Sequence, residues 1–118
     1  MGNNRRVVVV GMGIRSPIGN TPEAFIESIK MGRGGIRRMP EWEDIKRLRT
    51  QLAGLCDIEG EEETIPRRCR RSMGRVAIMA ALSAVDAIKA SGLGEDEIAS
   101  PICGISGAVT MCLTMPYC

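Results

Sequence analysis

Five cysteines, at positions 56, 69, 103, 112 and 118, stand in a chain that contains no histidine. A thiol becomes a nucleophile at neutral pH when a neighbouring base or cation favours its thiolate. No imidazole is present to supply either. The cysteines form no C-x-x-C pair and their number is odd, so neither a disulfide framework nor a zinc site is expected. They read as small buried hydrophobes in a reducing compartment. The acidic run Glu59–Glu63 reads as a solvated loop. Adjacent glutamates without ordered partners do not make a metal site.

Two further patterns carry chemical meaning. Val9–Ser16, with Gly11 and Gly13, begins like a dinucleotide-binding turn. That turn needs a third glycine and a helix starting at once. Here Ser16 and Pro17 intervene, so no nucleotide cofactor is expected. The second pattern is Arg67, Arg68, Arg70 and Arg71, with Arg75 one turn beyond. Cations at a helix N-terminus oppose the macrodipole by a few tenths of a kcal/mol. Local stability therefore does not explain the cluster, whereas an anionic partner would. DNA or RNA would serve, but stacking aromatics and a nucleic-acid motif are missing.

The elements that must position these residues are legible in outline. Arg5–Val10 reads as a strand buried on both faces, since its four valines are β-branched and consecutive. Thr21 is an expected N-cap, with Pro22 at the first helical position and Glu23 in the first turn. Phe25, Ile26 and Ile29 fall on one face of that helix, which Gly32 closes. Trp42–Arg49 reads as a short helix and Thr50–Leu55 as a short strand. Pro66 precedes an expected long helix over Arg67–Ser91, stopped by Gly92. From Val76 to Ala90 it is almost wholly apolar or small, so it should be buried on most sides. A domain of this size can hardly cover it. Ile102–Ser106 reads as a second buried strand.

The chain has 118 residues, 3% of them aromatic, and a net charge of +2. A core must come from Val, Ile, Leu, Met and Ala. A chain this short buries only about two-thirds of its unfolded surface. The net charge is too small to imply nucleic acid for the chain as a whole. The apolar run Val7–Val10 is too short for a membrane span or signal segment, so no membrane association and a cytoplasmic location are expected.

Two stretches carry a family resemblance. Arg5–Phe25, RRVVVVGMGIRSPIGNTPEAF, resembles the opening of a β-ketoacyl-acyl-carrier-protein synthase. It matches at Val10, Gly11, Gly13, Ser16, Pro17 and Gly19, followed by T-P-E-x-F and then G-R-G-G-I at Gly32–Ile36. Arg70–Leu93 resembles the family as well. The implied fold is α/β, the N-terminal part of a thiolase-like α-β-α-β-α architecture. The implied activity is decarboxylative condensation of acyl and malonyl carrier-protein thioesters, without metal or redox cofactor. In the family this uses a cysteine, histidines and a lysine placed later in a longer chain, in an enzyme that is a homodimer. None of those catalytic residues has a counterpart here.

The resemblance also assigns the basic cluster. Condensing enzymes dock an acidic acyl carrier protein through a basic-basic-x-x-basic-x-Met pattern, matched by Arg67, Arg68, Arg71 and Met73. It fades after Ser106. Residues 1–106 thus read as the N-terminal portion of a β-ketoacyl synthase domain and 107–118 as a divergent tail, from a frameshift, truncation or alternative ending. Cys112, in V-T-M-C-L-T, lies too close behind the second expected strand to be the nucleophile, and no histidine serves it. The competing readings are a non-catalytic carrier-protein-binding module and a basic nucleic-acid-binding domain.

Overall fold

The computed structural model describes residues 6–109. Cys112, Cys118 and the tail from residue 110 lie outside the described residues, as does Arg5 at the start of the expected first strand. Six regular elements follow in order: helix α1 (Pro22–Lys30), strands β1 (Ile36–Arg38) and β2 (Leu52–Gly54), helices α2 (Arg67–Arg70), α3 (Arg75–Ser91) and α4 (Glu95–Ile98). Two 3₁₀ turns, Pro40–Trp42 and Glu61–Thr64, punctuate the connections.

α1 forms as its sequence dictates. The Thr21 side chain accepts from the Ala24 N–H at 3.2 Å, Pro22 opens the helix, and Lys30 sits in the last turn. Gly32 follows at a positive φ of 65°, where a side chain would be strained. The only fully buried residue of α1 is Ser28, whose hydroxyl donates to the Ile18 carbonyl at 2.7 Å. That bond ties the helix to the loop before it.

The loop explains its own motif. Ser16 and Gly19 exchange two backbone hydrogen bonds of 3.2 Å, and the Ser16 hydroxyl donates to the Gly19 carbonyl at 2.9 Å. Ser-Pro-x-Gly is therefore a tight turn. The paired glycines upstream lie directly on α3. A methyl group built on Gly11 would sit 2.1 Å from the Ala87 carbonyl oxygen, and one on Gly13 would sit 1.9 Å from that of Ser83.

β1 and β2 pair antiparallel, with Ile36 opposite Gly54 and Arg38 opposite Leu52. β2 falls inside the expected strand at Thr50–Leu55. The expected helix at Trp42–Arg49 does not form. A 3₁₀ turn ends at Trp42, and Arg47 takes a positive φ of 73°, which no continuing right-handed helix permits. The single helix expected over Arg67–Ser91 is two. Gly74, at ψ 166°, is extended rather than helical and separates α2 from α3. α4 was not expected. Gly94 opens it, its N–H donating to the Glu97 carboxylate at 2.9 Å.

The largest departures are the two expected buried strands. Neither 6–10 nor Ile102–Ser106 is a strand, and Val7 and Ile102 are 94% and 93% exposed. A strand buried on both faces requires sheet neighbours and covering helices, which the described residues do not supply. The core is small. Cys56, Ile58, Ile65 and Leu82 are buried, with Met73, Ile78, Met79 and Ala81 packed around them. α3 contributes only Leu82 as a buried residue, while Val85 and Ile88 are exposed. Its apolar circumference is thus only partly covered by the described residues.

Candidate docking surface

The core lies directly beneath the basic cluster. Ile65 is buried immediately before Pro66, and Met73 packs on the same core immediately after the cluster. Between these anchors the chain makes a single helical turn. The Cys69 N–H donates to the Pro66 carbonyl at 2.8 Å, and the Arg71 N–H to the Arg67 carbonyl at 3.1 Å. One turn with no side-chain cap has little stability of its own. It is held by its ends.

Arg67, Arg68 and Arg71 are exposed, and Arg70 is half-buried. None of the four forms an ion pair among the described residues. Arg67 and Arg71, four apart, share one side of the turn. The exposed Cys69 sits between them. The structure thus brings the three predicted docking residues together on one corner.

An open groove of about 450 Å³ is lined by Arg37, Leu55, Cys56, Asp57, Glu59, Glu62 and Arg75. Two cations against three carboxylates give it no sign that would select an ionic ligand. The Cys56 thiol is pushed above its ordinary pKa by burial, which outweighs the lowering by Arg15 and Arg75. It is a protonated, packed thiol that donates to the Asn20 side-chain oxygen Oδ1 at 3.3 Å. Among the described residues no group of His, Cys, Asp and Glu gathers as a metal-binding cluster.

Sequence reasoning missed the polar hub behind the corner. Arg15 has a side chain only 6% exposed, and it bonds Glu61 at 2.7 Å and Asp86 at 2.6 Å. It also donates to the Asn20 carbonyl at 3.0 Å. The Asn20 amide in turn donates to Glu61 at 3.1 Å and to the Asp57 carbonyl. Arg75 closes the group by donating to the Cys56 carbonyl at 2.6 Å. The signal was present: Arg15 is the lone charge from Val7 to Pro22, and Asp86 the lone charge from Val76 to Ile88. Two isolated opposite charges in otherwise uncharged elements must find partners when buried.

The chain belongs to the β-ketoacyl synthase family. Residues 4–115 match the family described as "Beta-ketoacyl synthase, N-terminal domain". Over 101 residues it is 38% identical to 3-oxoacyl-[acyl-carrier-protein] synthase 1 of Haemophilus influenzae, covering 86% of this chain and 24% of that protein. It is 34% identical over 105 residues to the actinorhodin polyketide putative β-ketoacyl synthase 1 of Streptomyces coelicolor, covering 89% and 22% respectively. The crystal structure of a β-ketoacyl synthase from Burkholderia phymatum superimposes with a TM-score of 0.62 at 32% identity, over 76% of this chain and 22% of that one. The fold is accordingly the N-terminal part of the thiolase-like α/β architecture. The chain spans about a quarter of the length of the curated relatives it matches. No helix among the described residues is long and apolar enough to cross a membrane.

Proposed function

We propose that this chain forms the N-terminal portion of a 3-oxoacyl-[acyl-carrier-protein] synthase and presents its carrier-protein docking corner. The complete enzyme would transfer an acyl group to its own cysteine, decarboxylate a malonyl-carrier thioester and form a carbon–carbon bond. It would act as a homodimer. The observation that carries the reading is the exposed trio Arg67, Arg68 and Arg71, free of ionic partners among the described residues. Single exposed ion pairs contribute about 0–1 kcal/mol. Several together steer encounter and set orientation, with marked salt dependence. Relatives named as a 3-oxoacyl-[acyl-carrier-protein] synthase and as a polyketide β-ketoacyl synthase match alike, so the reading is of the reaction class.

The test is titration of an acidic acyl carrier protein against wild type and the R67E/R68E/R71E variant at two ionic strengths. Binding should fall sharply for the variant at low salt, where attraction becomes repulsion, and the gap should narrow as salt rises. Equal affinity at low salt removes the docking role. Tighter binding to RNA than to carrier protein would favour the nucleic-acid reading instead.

A further inference from the structure

We propose that Arg15, whose side chain is almost wholly buried, is the positioning residue of the docking corner. The proposal rests on the docking reading above and adds what fixes the geometry of that surface. The corner needs an outside anchor. α2 is a single turn, uncapped, with like charges at 67, 68, 70 and 71 repelling one another and opposing the helix dipole. The core anchors Ile65 and Met73 hold its two ends, and no side-chain cap sets its angle.

Its leading end comes from the 3₁₀ turn Glu61–Thr64, and its trailing end enters α3. Among the described residues Arg15 is the one side chain that bonds both, through Glu61 on the turn and Asp86 on the helix. The guanidinium is planar and its donors have a fixed fork, so the bonds to Glu61 and Asp86 fix direction as well as distance. Asn20, from the same loop, holds the turn side alone, bonding Glu61 and the Asp57 carbonyl. A loop of glycines and small residues thereby clamps the segment that presents Arg67, Arg68 and Arg71.

The test is amide hydrogen exchange on the full chain, with carrier-protein titration across a salt series. R15M should accelerate exchange at the amides of Glu61, Ile65, Cys69, Arg71 and Met73 by about tenfold or more. The amides of Phe25 to Lys30 in α1 should be unchanged. Carrier affinity should fall by about tenfold, as for a corner that holds its binding geometry about a tenth of the time, at every salt concentration. The salt slope should stay that of wild type, because all the contacting arginines remain. R15K, a point charge that can meet one carboxylate well, should recover part of both effects.

E61Q keeps the side-chain shape and weakens one arm only, so it should give the same exchange pattern at smaller amplitude. Uniform acceleration over the whole chain, or loss of the fold in both R15M and E61Q, would show a general structural role and overturn the proposal. So would unchanged exchange at the corner. R67E/R68E/R71E separates the two ideas: it should flatten the salt slope while leaving exchange at Glu61 and Ile65 intact. If that variant binds carrier protein normally, the docking reading fails while the exchange comparison still decides the role of Arg15.

Discussion

The corner from Cys56 to Arg75 and the segment from Arg6 to Val10 are built from opposite materials and behave in opposite ways. The corner is rich in charge, yet it is held: it owns the buried residues Cys56, Ile58 and Ile65, and the Arg15 hub closes over it. The valine segment is the most apolar stretch of the chain, yet Val7, Val8, Val9 and Val10 are all exposed. Apolar character demands burial without specifying where. Hydrogen bonds and ion pairs with fixed geometry specify where, even when they contribute little net stability. The corner finds its partners within about seventy residues of one chain, and the valines need a sheet.

The sharpest way to break this comparison is to truncate one apolar residue in each region. Leu82, 3% exposed beneath the corner, should cost about 2–5 kcal/mol on Leu82→Ala. Val7→Ala should stay within about 0.5 kcal/mol. Denaturant unfolding of both variants checks the contrast, and equal losses would erase it. Next comes the contact that seats the loop after the valines on α3. Gly13→Ala places a methyl against the Ser83 carbonyl and should cost about 1–3 kcal/mol. Exchange in the middle of α3 should quicken with it.

A smaller effect concerns association rather than stability. The exposed valines should draw copies of the isolated chain together, since apolar patches of this kind drive association. Val7→Lys with Val9→Lys should lower the sedimentation-average mass while leaving the unfolding midpoint in place. Unchanged mass would show that another face, such as that around Val85 and Ile88, is responsible.

The smallest effect is alkaline. Cys56 has its folded pKa raised by burial, while the unfolded thiol keeps the ordinary value of a free thiol. The folded state then holds the proton longer, so this contribution is complete below the unfolded pKa. It is lost as pH rises from there through the folded pKa. Cys56→Ala should flatten that decline in stability, whereas Cys69→Ser should leave it unchanged.

How much of this was legible beforehand follows from the range of the interactions. Thr21, Pro22 and Gly32 act within one or two turns of themselves, so α1 appeared where the residues placed it. The arginine cluster likewise declared itself, because a run of cations contradicting the helix dipole needs only local reasoning. The strands at 6–10 and Ile102–Ser106 failed because their pattern describes surroundings that the described residues do not provide. The break at Gly74 escapes a reading of Arg67–Ser91 as one helix, because the glycine lies between the basic turns and the apolar run Val76–Ala90 and belongs to neither pattern. Arg15 was passed over because a lone arginine in a glycine-rich loop suggests solvent. Only its pairing with the lone Asp86, far along the chain, gives it meaning.

The fit of Gly11 and Gly13 against α3 reaches further than packing. Two residues of extended chain advance about 6.6 Å, and four residues of helix about 6.0 Å. The two notches therefore fall on successive carbonyls of one helical row, Ala87 and Ser83. A slip by one residue would present Met12 or Ile14 to those carbonyls instead. The helix thus works as a gauge block that indexes the valine segment before any neighbouring strand arrives. Whatever pairs beside Val7–Val10 inherits that setting, and with it the choice of which side chains face inward.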